Sequence, residues 1–271
     1  MTDLDRYVRS GNKKVAGWLE PFSALYIGEL GKLQRESGIK GASIEIGVHH
    51  GRLFILLHLA GARQKDLAID VFGDQYLNSD RSGRGDRKRF ITNVMRWGGS
   101  LDDIEIMQRS SLEISPAEIL ERVGESALFS VDGGHTEKCA YNDLKLADAV
   151  LHRNGVVILD DFFNEYWPEV CLGAIKYLAD SSSRLRPFAL TAGKMYLCTS
   201  ENNASYRERM RIRFKPWEFD KEVRMFDSTV QIMGMAWKKM SILQKVRRLL
   251  RESPLGPHLK NIQNRLRKYN V

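Results

Sequence analysis

Two apolar runs that each end abruptly in carboxylates constrain this chain more than any other feature. Residues 127–131 run into Asp132, within Val131-Asp132-Gly133-Gly134-His135, and residues 156–159 run into Asp160-Asp161. Between them Ala140, Leu144, Ala147 and Leu151 recur at helical spacing, and Asn154-Gly155 reads as the helix C-cap. Strand, helix, strand makes a parallel crossover, whose strands deliver their carboxyl ends to one edge of the sheet. Neighbouring strands lie about 4.8 Å apart, so Asp132, Asp160 and Asp161 are expected to converge there with His135 beside them. Carboxylates crowded together are costly without a positive charge among them. The pattern points to one hard cation.

The same alternation extends along the chain. Residues 13–37 read as one amphipathic helix, with Val15, Trp18, Leu19, Phe22, Leu25, Tyr26, Leu30 and Leu33 near helical spacing. A short strand at 42–46 leads through Gly47-Val48-His49-His50-Gly51 into an apolar helix at 53–59, and a second strand at 67–69 ends in Asp70. A polar loop, 73–85, precedes a helix at 87–97 and a strand at 104–108. Ser115-Pro116-Ala117-Glu118 starts a helix with an N-cap serine, proline at the first position and a capping-box glutamate. After the motif-bearing strands come a helix near 170–178 and two short strands, 188–190 and 195–198. These flank Thr191-Ala192-Gly193-Lys194 as a terminal hairpin in which Lys194 reads as a turn residue. The class is α/β, with a doubly wound, mainly parallel sheet. Its parts are an N-terminal helical cap (1–40), a core (41–200) and a C-terminal extension with basic amphipathic helices (201–271).

The first strand, its glycine turn and the following helix form the general recipe for holding a nucleotide-like ligand. Gly47 and Gly51 are spaced GxxxG, so the dinucleotide fingerprint is absent and a ligand without phosphates is favoured. S-adenosylmethionine fits that description, and its amino-acid end and sulfonium suit an acidic Glu45. Asp70 stands where a ribose-binding carboxylate belongs. His49 and His50 read as loop positions, and 73–85 as either a lid over this region or a solvated connector.

Ser43-Ile44-Glu45-Ile46-Gly47-Val48-His49-His50-Gly51, Ile69-Asp70-Val71-Phe72, Val131-Asp132-Gly133-Gly134-His135 and Gly155-Val156-Val157-Ile158-Leu159-Asp160-Asp161 together resemble class I S-adenosylmethionine-dependent methyltransferases. Within those, the chain resembles the metal-dependent sugar O-methyltransferases related to macrocin O-methyltransferase, over roughly residues 15–200. The resemblance implies a seven-stranded Rossmann-like sheet, Mg²⁺ on Asp132, Asp160 and Asp161, and His135 as general base. It also implies donor contacts from Glu45, Gly47, Gly51, Asp70, Ser111 and Asp132. Family members often carry Asp-Ser after the third strand; here Ser110-Ser111 leaves Ser111 as the adenine-side contact. The substrate implied is a sugar hydroxyl. Two other readings stay open: a hydroxylase-like member of the same fold, and a non-catalytic adaptor of a glycan-assembly complex.

Charge locates a further feature. From Lys238 to the end, ten Lys and Arg face the single Glu252, so this segment accounts for the net charge of +8 and the rest is close to neutral. Ile242, Leu243, Val246, Leu249 and Leu250 form an apolar stripe beside these charges. Such a tail suits a peripheral contact with an anionic membrane surface, or docking on the body or a second copy in a homo-oligomer. Nucleic acid is not an expected partner, because the body is not basic and no recognition motif appears. Three widely spaced cysteines, no signal-peptide build and no membrane-length apolar run point to the cytoplasm, at most at the inner face of the membrane.

Overall fold

A computed structural model describes residues 1–62, 64–78 and 80–234. Strands and helices alternate: β1 (Ala42–Ile46), α3 (Arg52–Ala60), β2 (Asp66–Asp70), α4 (Arg87–Trp97), β3 (Ile104–Gln108), α5 (Pro116–Val123), β4 (Ser126–Val131), α6 (Glu137–Val150), β5 (Leu151–Asp160) and α7 (Pro168–Leu178). Ahead of them stand α1 (Asp3–Arg9) and α2 (Pro21–Glu36). Behind them follow β6 (Leu185–Thr191), β7 (Lys194–Thr199), α8 (Ser200–Arg211), β8 (Phe219–Met225) and β9 (Ser228–Met233). All nine strands form one sheet in the order β3-β2-β1-β4-β5-β7-β6-β9-β8.

The first five strands in that order are parallel, and β7 runs antiparallel to both its neighbours. From β1 the chain winds outward through β2 and β3, then returns to β4 on the other side of β1. The doubly wound sheet therefore has its topological switch point between β1 and β4, where such sheets bind ligands. One core packs α1–α4 and α8 on one face, and a second packs α5–α7 on the other. Residues Leu128, Phe129, Val156, Val157 and Ile158 are fully buried between these layers, as the continuous apolar runs of a parallel sheet require.

Several expectations change. The sheet has nine strands, not seven: β8 and β9 add a hairpin to its far edge from residues assigned to the C-terminal extension. The single helix expected over 13–37 starts only at Pro21, with Glu20 accepting from the backbone N–H of Phe22 and Ser23 as its N-cap. Trp18, counted among its apolar positions, is 79% exposed. Asn154-Gly155 does not end α6, which stops at Val150, but lies within the ten-residue β5. A Cβ on Gly155 would meet the Ser126 carbonyl oxygen at 2.7 Å, so this glycine serves close strand pairing. The basic amphipathic segment from Lys238 onward, with Met235 and Met240, lies outside the described residues. Among the described residues no helix is long and apolar enough to cross a membrane.

Candidate active site

Sheet register builds the site. Ile69, Ile46, Val131, Leu159 and Met195 lie in one row across β2, β1, β4, β5 and β7. One step further toward the carboxyl edge the row becomes Asp70, Gly47, Asp132, Asp160 and Lys194. Gly47 holds its centre at φ 86°, with its N–H donating to the Ile69 carbonyl at 2.8 Å. The Asp132 N–H donates to the Ile46 carbonyl at 3.0 Å, drawing the β4 turn across. A Cβ on Gly47 would lie 1.8 Å from the Asp132 carbonyl oxygen, so only glycine fits.

Above this row opens a cavity of about 730 Å³. Gly47, Asp70, Ser111, Asp132, His135, Asp160 and Asp161 all line it; Glu45 and Gly51 do not. Glu45 is 1% exposed, and its Oε2 has no hydrogen-bond partner. Burial, with the nearby Asp160 and Asp70 carboxylates, raises its pKa well above the usual range despite Lys194. It sits behind the glycine turn, not on the wall where a donor's amino-acid end would lie. Gly51 caps α3 and backs onto the Phe90 ring, a packing role. Asp70, read from sequence as the ribose carboxylate, accepts from the backbone N–H of His49 at 2.7 Å and of Phe72, so it also pins the glycine turn. Burial raises its pKa against those bonds.

At the other end of the row, ligand atoms of Asp132, His135 and Asp161 lie within 4.8 Å of one another. Asp161 adopts φ 59°, a left-handed conformation uncommon outside glycine, and its N–H donates to the Gly193 carbonyl at 3.0 Å. Asn164 Nδ2 donates to Asp161 Oδ1 at 2.8 Å, leaving Oδ2 toward His135 Nε2 at 3.2 Å. The structure does not group Asp160 with these three. Its Oδ2 takes the Lys194 ammonium and its Oδ1 accepts from the Asp161 N–H at 3.1 Å. Lys194 therefore supplies, from the protein itself, part of the positive charge that the acidic cluster demands. Burial lowers its affinity for a proton, but Asp160, Asp132 and Glu45 outweigh that and hold it charged. Burial and the Asp160 charge push the Asp132 carboxyl well above the ordinary carboxylate range. Added positive charge at Asp132 would relieve that crowding.

Asp80 completes the site and was not anticipated from sequence. Its Oδ2 lies 2.8 Å from His135 Nδ1 and also accepts from the His135 backbone N–H. The ring of Trp167 stacks on the imidazole, centroids 4.3 Å apart and planes 17° from parallel. Burial depresses the imidazole pKa, but hydrogen bonds to Asp161 and Asp80 outweigh it and hold His135 above its ordinary value. Because Asp80 belongs to the 73–85 loop, that loop forms part of the cavity wall, with Gln75, Leu77, Asn78, Ser82, Gly83 and Gly85. His49 also reaches the wall, its ring packed at a tilt between those of Trp18 and His50. The signal for Asp80 was a carboxylate within a polar loop adjoining the site. For Lys194 there was none without knowing that β7 pairs with β5.

A doubly wound sheet with a cavity at its switch point is the class I methyltransferase fold. Residues 44–162 match the family model described as a methyltransferase domain, and the protein is a methyltransferase enzyme. The structure is similar to that of the O-methyltransferase NovP, at 15% identity over 65% of this chain and 78% of that one, with a TM-score of 0.55. It is also similar to CalS11, a TDP-rhamnose 3'-O-methyltransferase of calicheamicin biosynthesis (16% identity, 66% and 81% covered, TM-score 0.47). An O-methyltransferase from Bacillus cereus in complex with SAH aligns at 14% identity over 72% of this chain and 88% of that one, TM-score 0.47. No curated protein matches the sequence.

Proposed function

We propose that this methyltransferase acts on a hydroxyl oxygen, that of a sugar, with a divalent cation, Mg²⁺, at Asp132 and Asp161. The observation that carries the reading is the meeting of Asp132, His135 and Asp161 within 4.8 Å, on the wall of the cavity that Gly47 and Asp70 also line. The donor set fits a hard cation: carboxylate oxygens in a crowded acidic row, with the Asp132 carboxyl raised by burial and by the Asp160 charge. Asp132 and Asp161 would hold the ion. Asp160, whose Oδ2 is committed to the Lys194 ammonium, serves the site through that lysine. When bound, the ion supplies positive charge that lowers the pKa of a hydroxyl beside it.

The protein's own groups do the rest. Asp80 fixes the imidazole through Nδ1 and Trp167 fixes its plane; Nε2, which faces Asp161 Oδ2 at 3.2 Å, would become the proton-accepting atom with that oxygen committed to the ion. The acceptor hydroxyl gives its proton to Nε2 and its oxygen forms the new bond to the donor's methyl carbon. With S-adenosylmethionine as the proposed donor, its sulfur–methyl bond would break as this bond forms, and the thioether would be the leaving group. Asp80 and Ser82 of the 73–85 loop cover the Nδ1 edge of the imidazole, whose side chain is 13% exposed. Donor contacts are assigned to Gly47, Asp70, Ser111 and Asp132. The test is mass-spectrometric detection of a methyl gain on neutral glycosides, abolished by EDTA and restored by Mg²⁺. Methylation that persists in EDTA would refute the metal dependence, and methylation of amines or thiols alone would refute the hydroxyl acceptor.

A further inference from the structure

Beside the main cavity lies a second one of about 420 Å³, entered over the same Asp161–Tyr166 loop. The two share Asp161, Asn164, Tyr166, Gly193 and Lys194 as a common wall. Two aromatic rings project into it, Phe163 at 65% exposure and Tyr166 at 78%. Phe163 is not adrift: its ring meets the buried Phe162 edge-on, centroids 4.6 Å apart at 79°. The loop that carries it is tied to the site, because Asn164 bonds Asp161 through Nδ2 and accepts the Tyr166 N–H at 3.0 Å on Oδ1. The loop that carries both rings is thus tied to the reacting centre.

Charge decides what such a groove takes. Apart from Lys194, whose ammonium is committed to Asp160 and whose side chain is 2% exposed, its charged members are Asp161 and Glu165. A diphosphate needs arginine, lysine or a cluster of backbone N–H groups. An acidic, aromatic groove repels it. A neutral sugar ring matches instead: its C–H face covers an aromatic ring, and its hydroxyls donate to the Glu165 carboxylate at the rim.

Resting on the sugar-hydroxyl reading above, we propose that this second cavity is a subsite for the neutral sugar ring next to the one methylated. The acceptor is then a glycan or glycoside at least two rings long, not a nucleotide-activated monosaccharide.

The experiment measures binding of wild-type protein, loaded with S-adenosylhomocysteine and Mg²⁺, to defined neutral mono-, di- and trisaccharides and to TDP- and UDP-sugars. At least one di- or trisaccharide binds tenfold or more tightly than its matching monosaccharide. Phe163→Ala removes that advantage while leaving monosaccharide and S-adenosylhomocysteine binding unchanged, and Phe163→Trp keeps it. Equal affinity for one ring and two, preference for a nucleotide sugar, or an advantage that survives Phe163→Ala would overturn the subsite and leave the sugar-hydroxyl reading standing. Binding of no saccharide at all would remove that reading and the subsite with it.

Discussion

Replacing Lys194 by methionine keeps most of the side chain's apolar bulk but withdraws its charge from a site it shares with Asp160. The Lys194 side chain is 2% exposed and that of Asp160 13%, so water does not replace the lost ammonium. Asp160 keeps the Asp161 N–H and gains no other partner, while Asp132 stands beside it in the strand-end row. Breaking a buried ion pair from one side costs about 3–5 kcal/mol. In a domain of this size each kcal/mol is worth about 2–4 °C in Tm. A fall of about 10 °C is therefore expected when circular dichroism follows thermal unfolding in EDTA. Mg²⁺ then acts differently on the two proteins. In the variant Asp160 is released as a further carboxylate for the ion, so saturating Mg²⁺ raises Tm more than in wild type. At a hundredfold excess over Kd, binding to the native state alone returns about 2.7 kcal/mol. A loss below about 1 kcal/mol in EDTA would refute Lys194 as the internal countercharge. An equal Mg²⁺ shift in both proteins would refute the site's competition between lysine and ion.

Three further outcomes follow from particular side chains. His135→Ala is expected to lower kcat by about 10²–10⁴ while calorimetry shows S-adenosylmethionine binding unchanged; normal turnover would remove the base assignment. Asp80→Asn takes away a carboxylate that holds the His135 pKa up, so the acidic limb of the kcat/KM profile shifts to lower pH, and an unmoved limb would separate Asp80 from catalysis. Asp143 on α6 is fully buried and pushed up to about 6 by desolvation, against bonds from Ser111 and Asn142. The folded state thus keeps that proton to higher pH than the unfolded chain, and stability falls as pH rises from 3.8 through about 6. This gap is worth about 3 kcal/mol. Asp143→Asn abolishes it at a cost of about 1 kcal/mol for an imperfectly bonded amide. Urea unfolding should find the variant more stable at pH 8 and less stable at pH 4; a variant weaker at both would contradict the argument.

Most of the frame could be read from the chain because parallel strands buried on both faces leave long apolar runs, and those of β4 and β5 end in acids. Strand ends at Ile46, Asp70, Val131 and Asp160 follow from that pattern alone. The hairpin of β8 and β9 was hidden because its residues, such as Asp220, Lys221, Glu222 and Arg224, show the polarity of a half-exposed edge. Gly155 mimicked a helix stop because a glycine needed for strand approach and one needed for a cap look alike in sequence. In the site, Asp132 and Asp161 follow β4 and β5 and come together as their spacing implies, whereas Asp160, expected with them, turns to Lys194. Glu45 was expected on the cavity side, but alternation along β1 turns it into the interior. Partners contributed by distant segments, Lys194 from β7 and Asp80 from the loop after β2, depend on register and loop path that local spacing does not encode.

Titrating Mg²⁺, or Mn²⁺ as a spectroscopic substitute, into protein loaded with S-adenosylhomocysteine tests the central claim most directly. One ion per chain should bind, with affinity sharply reduced in Asp132→Asn and in Asp161→Asn while S-adenosylhomocysteine still binds each variant. Absence of a stoichiometric ion in the wild-type protein, or affinity unchanged by both substitutions, would contradict a metal-assisted hydroxyl methylation at this site.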